Sequence, residues 1–197
     1  MCHFIETIHI ENGRILRASL HNQRMNTTRH FFFGPDIPNY NLEEILQEAS
    51  LYQQRTRCRV IYGKEIEEIS FLPYRPRPVQ SLRIINHDTL DYSFKYADRS
   101  EINQLYEQRN EQDDILIVKQ GRITDTSIGN IALFDSYQWI TPKYPLLKAT
   151  HRADLIAQGI IVEKDLLLTD LQSYQQVCIF NAMLEFEEIK LDVASIK

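Results

Sequence analysis

The chain has 197 residues, of which 43% are hydrophobic and 25% charged, a composition typical of a folded globular protein. Its formal net charge of −5 gives no support for binding to nucleic acid, and no apolar run approaches the roughly 18 residues of a membrane span. The odd number and wide spacing of Cys2, Cys58 and Cys178 argue against a disulfide framework or a zinc site. The amino terminus lacks the pattern of a signal peptide, so we expect a cytoplasmic protein with reduced thiols.

The first half predicts strands around one long helix. Alternating apolar residues indicate a strand over 4–10, and Asn12-Gly13 supplies a tight turn into a second strand. A helical pattern begins at Ala18 and stops at Gly34-Pro35, and Asn41 with Glu44 predicts a capped helix through about Tyr52. Strands are predicted over 58–62, 66–71 and 79–85. The proline-rich stretch 73–78 between them must be an edge or a connector, because each proline removes a ladder donor.

The second half predicts a polar helix over 99–112 and a short helix from Thr150 to Gly159. Strands are predicted over 115–118, 128–134, 160–163, 176–180 and 184–190, with a turn at Gly121. Because strands outnumber helices and the helices are grouped, the fold class should be α+β. The boundary between two α/β subdomains is expected between Asn86 and Arg99, giving residues 1–90 and 91–197.

Common catalytic motifs are missing from the sequence: there is no G-x-G-x-x-G, no P-loop, no G-x-S-x-G and no H-E-x-x-H. The six histidines lack metal-ligand spacing, so each is interpreted as a surface or capped residue. An arginine-rich stretch indicates either a solvated strand face or a pocket for an anionic substrate. Its members are Arg55, Arg57, Arg59, Arg75, Arg77 and Arg83.

Lys95 lies between Phe94 and Tyr96 in an aromatic setting. A lysine among aromatic rings loses hydration, which favours the neutral, nucleophilic amine. The plainer interpretation is a lysine at a strand end whose ammonium reaches solvent.

Six short segments are spread in order over nearly the whole chain. They are FIETIHIENGRI at the start, LHNQRM (20–25), Lys95-Tyr96-Ala97-Asp98-Arg99, TDTSIGNI (124–131), LLKATHR (146–152) and IFNAM (179–183). Together they resemble the class IV aminotransferase family. The first two are similar to the family's opening strand and its His-x-x-Arg helix. The third resembles the cofactor lysine segment, the fourth the Thr-Glu-x-x-x-x-Asn-Ile signature, and the others the last two family segments.

The resemblance implies a cofactor, pyridoxal 5'-phosphate (PLP), in a cleft between the two subdomains. Lys95 would carry the cofactor, and Asp125 would meet the pyridine nitrogen. The phosphate would be held by positive charge and backbone N–H groups. The residues implied there are Arg24, Gly129, Asn130, Ala149 and Thr150, and those facing the substrate are Arg59, Asn181, Ala182 and Met183.

Three positions depart from the family pattern: Asp125 replaces a usual Glu, Ala149 a usual Gly, and His151 a usual Thr. Asp125 is one methylene shorter than Glu, so the backbone must approach the ring more closely.

The resemblance leaves the reaction open. The pattern around Lys95 and the Asn181-Ala182-Met183 segment favour aminodeoxychorismate lyase, which releases 4-aminobenzoate and pyruvate for folate synthesis. The alternatives are transamination of branched-chain or D-amino acids and a non-catalytic dimeric paralogue. The family also implies a homodimer, and the lyase reaction implies coupling to the chorismate-aminating synthase.

Overall fold

The computed structural model describes residues 2–197, which form two compact units. One unit runs to Pro76 and takes in Phe94–Asp98, and the other comprises Arg77–Ser93 and Arg99–Lys197. This division differs from the expected boundary near residue 90. The reason is strand pairing: the strand Leu82–Asn86 pairs in parallel with Asp114–Lys119, which ties residues 77–93 to the second unit.

The first unit is built on a four-stranded antiparallel sheet of order β2-β1-β3-β4. The hairpin turn has Asn12 and Gly13 in the left-handed region, at φ 52° and 70°, as an Asn-Gly pair allows. The strands are β1 (Phe4–Glu11), β2 (Arg14–Ile15), β3 (Thr56–Tyr62) and β4 (Ile66–Pro73).

One face of this sheet packs against the helix α1 (Ala18–Phe33), with Met25 fully buried between them. The helix α2 (Leu42–Ile45) begins at Asn41, whose side chain accepts a bond from Glu43 N. The prediction of a helix through Tyr52 was wrong in length, because a 3-10 turn over Gln47–Leu51 follows instead.

The second unit contains two sheets. A three-stranded sheet has the order β5-β6-β7, and a five-stranded sheet the order β10-β9-β8-β11-β12. The strands are β5 (Leu82–Asn86), β6 (Asp114–Lys119), β7 (Arg122–Thr126), β8 (Asn130–Phe134), β9 (Trp139–Pro142), β10 (Ile161–Lys164), β11 (Gln176–Phe180) and β12 (Ile189–Asp192). The helices are α3 (Ser100–Tyr106) and α4 (Thr150–Ala157).

The α+β class is confirmed, but three element predictions in the second unit were wrong. The strand β7 was missed, because its polar residues Thr124, Asp125 and Thr126 are buried rather than exposed. The helix predicted over 99–112 ends at Tyr106 and passes through a 3-10 turn to Asn110, which has φ 55°.

The strand predicted over 184–190 begins only at Ile189. The side chain of Asn181 accepts bonds from the backbone N–H groups of Met183 and Leu184 and turns the chain away from β11. Glu187, at φ 67°, makes a further bend before β12. Local side-chain bonding therefore competes with the extended conformation here.

No helix in residues 2–197 is long and apolar enough to cross a membrane. Within the same residues, no group of three or more His, Cys, Asp or Glu side chains is arranged to hold a metal ion.

Candidate active site

A tight turn joins β7 to β8 in the second unit. Thr126 N donates to Gly129 O at 2.9 Å, and the Thr126 hydroxyl accepts from Gly129 N at 3.1 Å. Gly129 lies so close to β11 that a Cβ there would overlap the carbonyl oxygen of Phe180. Arg99 donates to the carbonyl of Ser127 within this turn. The turn therefore requires glycine and brings Asp125 and Asn130 side by side.

Asp125 is 4% exposed and carries its carboxylate into the interior of the second unit. Its Oδ1 accepts from Asn130 Nδ2 at 2.8 Å, and its Oδ2 accepts from Leu147 N at 3.0 Å. Burial raises the pKa of Asp125 to about 6, against the lowering effect of Asn130, the Leu147 amide and Arg152. The carboxyl is therefore harder to ionise than an exposed aspartate.

The start of α4 lies beside the Asn181 segment. His151 Nδ1 lies 2.7 Å from the carbonyl oxygen of Asn181, and Asn181 Nδ2 donates to Ile128 O at 2.9 Å. Ala149 precedes the helix and gives it no side-chain cap. A helix N-terminus without a capping side chain is a favourable place for an anion such as phosphate.

Lys95 belongs to the first unit, where its segment runs along β1. Ile5 N donates to Lys95 O at 2.9 Å, and Phe4 and Tyr96 form an antiparallel bridge. The rings of Phe94 and Tyr96 pack with Phe4 and Phe32 at centroid distances of 4.8–5.4 Å. The Lys95 side chain is half-buried. The aromatic setting expected from the sequence is present on both sides of the lysine.

Arg24 is held by a buried carboxylate that the sequence analysis missed. Arg24 Nε donates to Glu6 Oε1 at 2.9 Å and its Nη2 to Oε2 at 2.5 Å, and His21 Nδ1 lies 2.6 Å from the same Oε2. Burial raises the pKa of Glu6, but the Arg24 charge and the bonds from His21 and Arg24 outweigh burial and bring it to about 2. The signal was a lone acid on the apolar face of β1.

Arg59 lies in β3 opposite Thr7, with Arg57 opposite His9. Both arginines are half-buried, while Cys58 between them is fully buried on the face toward α1. The interpretation of all six histidines as surface or capped residues was wrong for three of them. His9, His21 and His151 are buried, at 1%, 0% and 3% exposure.

The structure brings most of the predicted site residues together within each unit. In the second unit, direct bonds or contacts connect Asp125, Gly129, Asn130 and Asn181 around the turn and α4. In the first unit, Arg24 reaches β1 through Glu6 and the Lys95 segment lies beside Ile5. That Lys95 and Asp125 line one cleft stays a prediction, since the two residues belong to different units.

A cavity of about 340 Å³ within the second unit lies apart from these residues. Its wall includes Thr124, Lys119, Arg122 and Tyr144 but not Asp125. Thr124 and Asp125 are neighbours on a strand and their side chains point to opposite faces, so this cavity is not the predicted cofactor site.

The residues present fit the chemistry of PLP. The second unit supplies a buried carboxylate suited to a ring nitrogen, and neutral donors, Asn130 Nδ2 and Leu147 N, contact its two oxygens. The glycine turn and the start of α4 supply backbone donors of the kind that bind phosphate. The first unit, taken by itself, contains an amine, Lys95, and a guanidinium, Arg24, of the kinds that such a cofactor requires.

Comparison with known families gives one model match, to amino-transferase class IV, over residues 3–191. An uncharacterised protein of Haemophilus influenzae is 36% identical over 180 residues, which are 90% of this chain and 96% of that protein. A shorter match, 42% identical over 76 residues, covers 33% of a Schizosaccharomyces pombe protein provisionally named an aminodeoxychorismate lyase.

Solved structures give the same fold. A Haemophilus somnus 129PT protein, provisionally named a 4-amino-4-deoxychorismate lyase, is 32% identical with a TM-score of 0.88, covering 93% of this chain and 97% of that one. A Mycobacterium tuberculosis protein, a hypothetical aminotransferase in its PLP-bound form, is 17% identical with a TM-score of 0.75, covering 99% and 81%. At that identity the second match supports the fold alone.

Replacing Glu6 by Gln should lower the free energy of unfolding by about 3 kcal/mol at pH 7. The pKa of Glu6, lowered from 4.5 to about 2, means that the folded protein favours the ionised carboxylate by about that amount. This contribution is present above pH 4.5 and is lost as the pH falls through 2. Denaturant unfolding of wild type and Glu6→Gln between pH 2 and 7 measures it. Glu67→Gln, which removes an exposed partner of His3, is the matched control and should change stability little. Equal effects of the two substitutions would contradict the prediction.

Asp125 should show the opposite pH dependence. Its pKa is raised from 3.8 to about 6, so the buried charge costs about 3 kcal/mol above pH 6 and nothing below about pH 4. The unfolding free energy of wild type relative to Asp125→Asn should therefore fall by about that amount as the pH rises from 4 to 7. Thermal or denaturant unfolding of the cofactor-free proteins tests this, with the exposed Asp170→Asn as control. A difference independent of pH would refute it.

Proposed function

The chain belongs to the class IV aminotransferase family, and from that premise we propose that it is a PLP-dependent lyase. Its reaction would convert 4-amino-4-deoxychorismate to 4-aminobenzoate and pyruvate. The observation that carries the proposal is the convergence of Asp125, the Gly129 turn and the start of α4 with the lyase-like Asn181 segment. The likeness to the Haemophilus somnus protein supports the same reaction.

PLP, when bound, supplies an electron sink that stabilises negative charge on a substrate carbon. Asp125 would hold a proton at the ring nitrogen by accepting a hydrogen bond from it. The turn at Gly129, the start of α4 and Arg24 would bind the phosphate. Arg24 is held in place for this by two bonds to Glu6.

Lys95 would attach the cofactor through its Nζ and then, once released, accept the proton from the ring carbon that bears the substrate amine. The ammonium formed in this way would then donate a proton to the departing enol ether, which leaves as pyruvate. General acid–base transfer by a positioned amine of this kind needs only a change in its protonation. The half-buried state of Lys95 fits a group that must reach both cofactor and substrate.

The substrate has two carboxylates, and arginine binds a carboxylate through paired N–H donors. Arg59 and Arg57 alternate with buried residues along β3 and so share one face of the sheet. Asn181, Ala182 and Met183 follow β11 and lie beside the turn at Gly129. We propose that these two groups of residues contact the substrate.

Transamination is the second candidate, because it is the reaction after which the family is named. The cofactor residues are common to both reactions, so the choice depends on the substrate-facing segments. Asp98-Arg99 and Asn181-Ala182-Met183 favour the lyase. Arg99 also has a structural role, since it donates to the Ser127 carbonyl in the turn after Asp125.

We further propose that the protein acts in the cytoplasm as a homodimer and works with the chorismate-aminating synthase. The first unit has large apolar side chains on its surface, including Phe31 at 69% and Leu51 at 74% exposure. Exposed apolar groups of this size are typical of subunit interfaces. Light scattering at micromolar concentration tests the dimer, and a monomer would contradict it.

Lys95→Ala should abolish the visible absorbance of bound PLP and its fixation by borohydride, because the covalent link to Nζ is lost. The test is to add PLP to purified wild type and variant, reduce with borohydride, and locate the modified peptide by mass spectrometry. Lys119→Ala is the matched control, since Lys119 is a half-buried lysine that donates to Leu90 O. Modification of Lys119 or Lys148 in place of Lys95 would refute the assignment.

The wild-type protein should form 4-aminobenzoate and pyruvate and transaminate ordinary amino acids only slowly. Enzyme, chorismate, the aminating synthase and glutamine are incubated together and 4-aminobenzoate is measured, with leucine and D-alanine transamination run in parallel. Rapid transamination without 4-aminobenzoate would favour the second candidate.

Arg59→Met should raise the KM for the dianionic substrate by tenfold or more, because a lost charged contact of about 1.4 kcal/mol corresponds to a factor of ten.

A further inference from the structure

Asn130 opens β8 with its side chain buried, at 2% exposure, directly against Asp125. Its Nδ2 makes two hydrogen bonds, to Asp125 Oδ1 at 2.8 Å and to Leu147 O at 2.8 Å. Leu147 N then donates to Asp125 Oδ2 at 3.0 Å. The carboxylate, the amide and the backbone N–H and C=O of a single residue, Leu147, therefore form a closed ring of three hydrogen bonds.

The orientation of this amide is determined by its partners. A flipped Asn130 would place Oδ1 against the Asp125 carboxylate and the Leu147 carbonyl, which are both acceptors. In the orientation present, Oδ1 is buried and has no donor within residues 2–197. The amide oxygen of Asn130 therefore stays unsatisfied, while both N–H groups of its Nδ2 are used in bonds to Asp125 and Leu147.

The positive charge that acts on Asp125 is bonded to other groups. Arg152 of α4 is the charged group that lowers the pKa of Asp125 from a distance. Its guanidinium is bound to Pro142 O and to Glu163, each at 2.7 Å. The donors to the carboxylate are the Asn130 side chain and the backbone N–H groups of Leu147 and Leu146, so Asn130 is the side chain among them.

We propose that Asn130 is a positioning residue, which keeps the Asp125 carboxylate ionised and aimed in one direction. The inference rests on the proposed function, in which Asp125 meets the ring nitrogen of PLP. It adds that the shorter aspartate depends on an amide partner from the next strand. The family resemblance implies that Asn130 helps to bind the phosphate. In this proposal it acts on the ring nitrogen instead, through Asp125.

The first test uses the cofactor-free protein, so it does not depend on any activity. Aspartate labelled at Cγ with ¹³C is titrated by NMR, and Asp125→Asn assigns the resonance. Wild type should titrate at about 6. Asn130→Leu has a similar volume without a donor, so Asp125 should titrate about one to two pH units higher, which lowers its ionised fraction at pH 7 by about twofold to tenfold.

Two further variants separate this role from a general effect on folding. Thr141→Val is the matched control: Thr141 is buried on β9, and its hydroxyl donates to Ile131 O at 2.8 Å rather than to the Asp125 carboxylate. It should leave the Asp125 titration unchanged. Asn130→Ala removes the same donor with less bulk, and it decides the question if Asn130→Leu does not fold. An unshifted titration in either folded Asn130 variant would overturn the proposal.

A second readout uses PLP labelled with ¹⁵N in its ring. The ring nitrogen should have the chemical shift of the protonated form in wild type and Thr141→Val, and move toward the unprotonated value in Asn130→Leu. A raised titration in the cofactor-free protein together with no PLP binding in wild type would refute the proposed function and leave the Asn130–Asp125 coupling standing. PLP binding with no change of either readout in Asn130→Leu would refute the coupling alone.

Discussion

The buried carboxylate of Asp125 needs hydrogen-bond donors, and the structure around it in the second unit supplies them. The turn after β7 returns the chain so that Asn130 opens the next strand against it. The segment before α4 brings the Leu147 amide to the other oxygen. Because an ion without donors is costly in the interior, these two contacts constrain the turn, the start of β8 and the approach to α4 together.

The first unit meets the same physical problem in another way. Glu6 is as deeply buried as Asp125, yet its pKa falls to about 2 while that of Asp125 rises to about 6. The difference is the partner: Glu6 has the Arg24 guanidinium in direct contact, whereas Asp125 has only neutral donors in contact. Glu6 is therefore ionised at neutral pH and holds an arginine, whereas burial makes Asp125 harder to ionise.

The number and grouping of strands and helices predicted the α+β class, and the motif order predicted the family and a shared site for Asp125, Asn130 and Asn181. Motif order allows this prediction because segments that follow the order of a family are expected to take up the spatial arrangement of that family. It did not predict β7, since a strand of Thr, Asp and Thr has no apolar alternation to reveal it. Glu6 and His21 were missed for a related reason: a polar group in the core is recognised only when its partner is known.

The amino-acid sequence by itself determined the hairpin at Asn12-Gly13, the span of α1 and the candidate cofactor lysine. These depend on local backbone preference or on a motif read within a few residues. Only the tertiary structure decided that Asn130 serves Asp125, that Glu6 holds Arg24, and that residues 77–93 belong with the second unit. Each of these is a contact between segments distant in sequence or on separate strands, and its energy depends on burial, which the folded chain alone defines.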